Sequence, residues 1–263
     1  MGLSANTPKY FFRLTNALLG VAFLVELLAP HCSSDLDAAA IALAAVASVA
    51  ALRQQLPLQN VLLATVITAI IGGGAHAFSA NPDLAVPFGP VVFNPDAGAK
   101  IFGTVPWTIP LLWIVAIFNA RGVARLILRP WRKVKTYGFW LIGATALLAV
   151  AFDFALEPFA WHAKHWWLWQ HTKIPITWQG ATLLNFLGWA FVTLLIMTVA
   201  TPSLIRKQPG AQPPPDFHPL ILWLGALLLF TVGCAEARLW LAVAADVIIA
   251  GVTTVLAVRG AKW

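Results

Sequence analysis

The chain has 263 residues, of which 60% are hydrophobic and only 10% are charged, and its mean hydropathy is +0.79. A soluble domain averages roughly 25% charged residues, and so few charges cannot keep a surface in water, so an ordinary soluble fold is excluded. The net charge of +7 does not point to nucleic acid, because in a membrane chain excess Lys and Arg marks cytoplasmic loops.

A bilayer core takes about 20 mostly apolar residues per helix. Stretches of that length, bounded by charge, Pro or Gly, fall at about residues 12–30, 37–53, 58–79, 105–128, 137–159, 181–201, 219–236 and 238–258. They predict an all-α polytopic helix bundle with eight spans, a single transmembrane domain over residues 1–263, with the lipid bilayer as solvent. Seven is the alternative count, since the second stretch is short and Ala-rich and little more than GCAEAR divides the last two. The first stretch reads as a helix of the mature protein: Glu26 interrupts it, and Pro30 and His31 stand where a signal peptide would carry a small-residue cleavage site.

With the N-terminus in the cytoplasm, 13 of the 17 Lys and Arg fall inside, and Lys100, Lys164, Lys173 and Arg238 fall outside. The block from Arg121 to Lys135 carries most of this bias and reads as topogenic, the alternative being a site for nucleic acid or acidic lipid. The loop from Gln208 to Pro219, with its QPPP, reads as an extended cytoplasmic connector without chemistry. Cys32 and Cys234 make neither a disulfide framework nor a metal signature.

Five acidic residues, Glu26, Asp153, Glu157, Glu236 and Asp246, lie in or at the ends of spans. An ionised Asp at a helix centre costs roughly 2.5–3.5 kcal/mol on insertion scales, so such groups normally face the bundle interior and mark function. For Glu236 the structural alternative is pairing with Arg238. Alternating span direction puts Glu26 near the outer end of the first span and His76 near that of the third. Asp153 and Glu157 then fall in the last turns of the fifth, Asn185 at the start of the sixth, and Asp246 about two turns into the eighth. All are expected in the non-cytoplasmic half, converging on one cavity.

Asp153 and Glu157 are four residues apart, which puts both carboxylates on one helix face about 6 Å apart along the axis. Two like charges there repel, so the pair is suited to keep one carboxyl protonated as a general acid. Asn185 and Trp189 repeat the spacing within NFLGW, where Gly188 would let a neighbouring helix approach. The intervening outer loop holds Trp161, Trp166, Trp167, Trp169 and Trp178 with His162, His165 and His171. It reads as an interfacial aromatic belt, or alternatively as a lid. No metal is expected, because His162 and His165 of HAKH lack a third ligand in any recognised spacing.

At FDFALEP (Phe152 to Pro158), the Trp-rich loop and LLNFLGW (Leu183 to Trp189), the sequence resembles the membrane-integral carotenoid hydratases, the family of the carotenoid 1,2-hydratases and bisanhydrobacterioruberin hydratase. PFGPVVFNPDAGAKIFGTVPWTIPLLW (Pro87 to Trp113) is similar to a second block of that family, and together these motifs delimit a family-like core of about residues 60–200. Two departures stand out: Glu157 occupies a position where the family pattern has Asp, and GGGAHAFS places His76 where members often carry Glu.

The resemblance implies an enzyme of a bacterial inner membrane that adds water across the terminal C1,C2 double bond of an acyclic carotenoid, of lycopene or γ-carotene type, without a cofactor. Asp153 and Glu157 would be the catalytic carboxyls, with Asn185, Trp189, Glu26, His76 and Asp246 positioning substrate and water. A lycopene-cyclase-type isomerase and a transporter with buried carboxylates are the competing classes. A retinal photoreceptor is disfavoured, since no Lys lies within the last four spans.

Overall fold

The computed structural model describes residues 7–28, 34–172, 174–205 and 214–263. Pro30, His31, Cys32, Lys173, Arg206, Lys207 and the connector from Gln208 to Pro213 lie outside the described residues. Among the described residues, eight helices are long and apolar enough to cross a membrane. They are α1 (Thr7–Leu28), α2 (Ser34–Arg53), α3 (Leu58–Ala80), α4 (Thr108–Ile127), α5 (Tyr137–Pro158), α6 (Leu183–Ala200), α7 (His218–Glu236) and α8 (Trp240–Ala261). The count is therefore eight: α7 and α8 are separate helices, and Arg238 between them adopts a left-handed φ of 58° that breaks the helical path.

Fifteen residues of α4 are buried, more than in any other described helix, and it packs against α2, α3, α5, α7 and α8, so α4 is the post around which the bundle is built. In lipid the apolar side chains gain nothing by leaving the solvent, so helices associate through close packing of small residues. A Cβ at Gly72 of α3 would fall 2.3 Å from the Trp113 ring of α4, so this glycine sets how closely those helices approach. The peripheral helices turn apolar side chains outward, among them Leu14, Leu18 and Val21 of α1 and Val247, Ile248 and Val252 of α8. Such a surface belongs in hydrocarbon, and the chain is an integral membrane protein.

Among the described residues, three short antiparallel ladders shape one end of the bundle. Strand β1 (Val91–Phe93) pairs with β4 (Trp167–Trp169), β2 (Lys100–Ile101) with β3 (Val105–Pro106), and β5 (Thr177–Trp178) with β6 (Ala181–Thr182). Residues 105–106, expected to open the fourth span, thus belong to a ladder, and Pro106 fits there because an edge position leaves its missing N–H uncosted. The β1–β4 pair joins the α3–α4 loop to the α5–α6 loop across more than 70 positions of sequence, with Val91 opposite Trp169 and Phe93 opposite Trp167.

At its C-terminal end α5 runs through Pro158 into a single π turn, Phe159–Ala163. Pro158 cannot donate to the carbonyl four residues back. That carbonyl, Phe154 O, instead accepts the indole N–H of Trp178 at 3.0 Å.

Candidate active site

The last two turns of α5 project Asp153 and Glu157 inward, both essentially without solvent exposure. The facing turn of α6 begins at Thr182, whose hydroxyl caps the backbone N–H of Asn185 at 3.4 Å. This cap helps aim the Asn185 side chain at α5. Its Nδ2 donates to Asp153 Oδ2 at 2.6 Å and to Glu157 Oε1 at 3.0 Å, bridging the two carboxyls.

The other Glu157 oxygen accepts two indole N–H groups, from Trp169 at 2.7 Å and Trp167 at 3.1 Å. These two indoles are what the sequence reading missed. Trp167 and Trp169 are not an interfacial belt: both are buried and face inward from β4, while Leu168 between them is half exposed. The W-x-W alternation was the available signal, since side chains two apart on a strand share a face.

Further along the same face of α6, Trp189 stacks on Trp113 of α4 with ring centroids 4.0 Å apart. Gly188, expected to let a neighbouring helix approach, is met most closely by a loop. A Cβ there would lie 2.5 Å from the Phe88 ring and 2.8 Å from the Pro87 carbonyl. His76 stacks on Phe88 at 4.4 Å and lies near Phe93 and Trp113. Phe93 in turn meets the edge of Trp167 at 6.2 Å, so two aromatic rings stand between His76 and the Glu157 carboxyl.

The expectation that every intramembrane carboxyl converges on one cavity is corrected. Among the described residues, no hydrogen bond links Asp153 or Glu157 to Glu26 or Asp246. Glu26 forms a second cluster with the α5–α6 loop: Lys164 Nζ lies 2.8 Å from Glu26 Oε2 and 2.6 Å from Asp37 Oδ1, and Trp166 donates to Asp37 Oδ2 at 3.0 Å. These contacts tie the end of α1 to the start of α2 and to the α5–α6 loop. Burial works against the charge on Lys164, but Asp37 and Glu26 outweigh it, and its pKa is raised above the ordinary lysine value. Asp246 is buried on the inward face of α8, with neither oxygen hydrogen-bonded among the described residues. The separation arises because each carboxyl follows the buried face of its own helix and those helices meet different neighbours: α1 packs chiefly on α2, α5 on α4 and α6, and α8 on α4 and α7. Glu236 and Arg238 are both exposed and form no ion pair among the described residues.

An apolar groove of about 400 Å³ lies between α1, α2, α4, α5 and α7. Phe23, Ile41, Leu112, Phe152 and Leu156 line it, with Glu26 and Trp166 also on its wall. Asp153 and Glu157 do not line this groove, although Phe152 and Leu156 occupy the adjoining face of the same helix. Among the described residues no three of His, Cys, Asp and Glu come together as metal ligands, and His162 instead bonds the Gln179 carbonyl at 2.9 Å.

Fold and site together define a polytopic integral membrane protein with a buried, amide-bridged carboxyl pair under an indole cap. A family model described as "Carotenoid biosynthesis protein" matches residues 36–254, and the chain belongs to that family. The match extends beyond both ends of the core delimited by the sequence motifs and takes in α3 to α7 whole with most of α2 and α8. No curated protein and no solved structure matches the chain.

Proposed function

We propose that the protein hydrates the terminal C1,C2 double bond of an acyclic carotenoid end group, using Asp153 and Glu157 as acid and base. The observation that carries this reading is the buried Asp153–Asn185–Glu157 triad in a chain of the carotenoid biosynthesis family. A neutral carboxyl of the pair gives its proton to C2, and the π electrons form the new C–H bond. The tertiary cation left at C1 is attacked by water, and the partner carboxylate accepts the proton that the water releases. One water is consumed, no electron leaves the substrate, and no cofactor is required.

Several features suit the residues to these roles. Glu157 accepts three hydrogen bonds, from Trp167, Trp169 and Asn185, whereas Asp153 accepts one. Donors stabilise the ionised form of a carboxyl, which favours Glu157 as the base and Asp153 as the acid. Asp153 Oδ1 and Asn185 Oδ1 are buried and have no hydrogen-bond partner among the described residues, so both retain capacity to hold a reacting water. The two carboxyls lie one helical turn apart and are held together by one amide, so the proton gained by the base has a short path through water back to the acid. Aromatic faces stabilise a desolvated cation by about 2 kcal/mol; Trp167 and Trp169 bond Glu157, and Trp189 follows Asn185 by one turn of α6. On this reading the N-terminus is cytoplasmic and the site lies in the outer half of an inner membrane.

Glu26 supports a second reading, because it lies on the wall of the apolar groove whereas Asp153 does not. Glu26 is engaged by Lys164 at 2.8 Å, a contact that by itself favours the ionised carboxylate over a proton donor. The two assignments separate on three variants, each expressed in a bacterium that makes an acyclic carotenoid. Asp153→Asn and Glu157→Gln should each abolish hydroxylated pigment while membrane insertion persists, and Glu26→Gln should retain it. Loss only in Glu26→Gln would move the chemistry to the groove.

A further inference from the structure

The opposite end of the bundle holds a second built site. There α2, α4, the start of α5 and the approach to α7 enclose a cavity of about 250 Å³. Arg121 and Arg125 of α4 line it one helical turn apart, together with Arg129 and Arg132 of the following turn and Tyr137 at the start of α5. Among the described residues the one carboxylate on its wall is Asp216. Both Asp216 oxygens are engaged, accepting Gln55 Nε2 at 2.5 Å and the backbone N–H of His218 at 3.0 Å. Gln55 Oε1 in turn accepts Arg125 at 3.0 Å, so an amide separates this carboxylate from the guanidinium. The connector residue Asp216 thus takes part in the cavity, contrary to the expectation of a segment without chemistry.

A topogenic charge need only lie on the correct side of the membrane. Lys133 and Lys135 fit that description, being exposed. Arg121 does not: it is 4% exposed within an apolar helix, donates one Nη2 bond to the Leu204 carbonyl at 2.7 Å, and among the described residues leaves a buried Nε without a partner. Burying a guanidinium against a single carbonyl is costly unless an anion offsets it. Planar guanidinium forks match phosphate oxygens, and basic pockets between helices on the cytoplasmic side are suited to anionic headgroups.

We propose that this cavity binds a phosphate group, carried either by an anionic phospholipid headgroup or by a free diphosphate. Arg121 and Arg125 grip the phosphate oxygens, and Arg132 and Tyr137 close the mouth. The site is independent of the carboxyl pair and of the reaction assigned to it.

The test uses the full chain purified in non-ionic detergent and washed free of phospholipid, followed by native mass spectrometry and thermal unfolding. Inorganic diphosphate, phosphatidylglycerol in mixed micelles and phosphatidylcholine as the neutral control are added in separate arms. Wild-type protein should form an adduct and gain stability with diphosphate, with phosphatidylglycerol, or with both, but not with phosphatidylcholine. A response to diphosphate alone identifies a soluble phosphate ligand, and a response that includes phosphatidylglycerol identifies a headgroup. Arg125→Gln and Arg132→Gln, at less buried positions than Arg121, should each weaken binding about tenfold, the loss expected for one charge-assisted hydrogen bond. Lys135→Gln, on the exposed surface nearby, should not. An anionic phospholipid that survives washing of the wild type and is absent from the Arg125→Gln/Arg132→Gln double variant supports the site equally. No response to either phosphate beyond that to phosphatidylcholine, or binding unchanged in the double variant, overturns it.

Discussion

Glu157 is the most heavily hydrogen-bonded carboxyl in the protein's interior, and its two indole donors come from a loop that composition alone would assign to the membrane interface. A hydrogen bond to a charged group contributes about 1.5–3 kcal/mol. Trp169→Phe keeps the ring and removes the shorter bond, so it should reduce hydration about tenfold or more while leaving insertion intact, as measured by pigment yield per membrane-embedded protein. Lys164 has a different role, holding two carboxylates at once. Lys164→Met leaves Glu26 and Asp37 buried without their counter-ion, at a cost of about 3 kcal/mol or more that appears as a lower unfolding temperature in detergent. Because the pKa of Lys164 is raised on folding, its contribution is fully present below the ordinary lysine value and is lost only as pH rises through the raised one. The carboxyl pair was legible in the sequence because charge inside an apolar run is costly and conspicuous. The partners of Glu26 were not, since Lys164 and Asp37 are remote in sequence and look like ordinary loop charges.

The helices were legible for the same reason, as uninterrupted apolar stretches of membrane-spanning length, and their ends were less so. Residues 105–106 are apolar and continue the hydropathy of the fourth span, yet they pair with Lys100 and Ile101 in a ladder. The π turn after Pro158 was also hidden, because it depends on a tryptophan twenty residues away supplying the N–H that proline lacks. The β1–β4 pair is the element that closes the site: it fixes Trp167 and Trp169 over Glu157 and seats the preceding Pro87–Phe88 segment against Gly188. Gly188→Val should therefore push that segment outward. Overpacking of this kind costs about 1–3 kcal/mol, measurable as a lower unfolding temperature, and product yield should fall with it because the indole cap loses its support.

Taken whole, the molecule is electrostatically two-ended. Carboxyls cluster where the aromatic loops fold over the bundle, and arginines line the cavity at the other end. The sidedness proposed from the positive charges predicts that, in a cysteine-free background, Asp96→Cys is labelled by a membrane-impermeant thiol reagent from the periplasmic face. Lys133→Cys should react only in inside-out vesicles, and the reverse pattern would invert the topology. The central claim, that this fold adds water to a carotenoid, is tested most directly by the pigment itself. Wild-type protein is produced in bacteria accumulating lycopene or γ-carotene, and the extracted pigments are separated and weighed by mass spectrometry. The account predicts a new pigment heavier by one water per hydrated end, carrying a tertiary alcohol and absent from the Asp153→Asn strain. Unaltered pigment from both substrates with the protein folded in the membrane, or a cyclised isomer of unchanged mass, would contradict it.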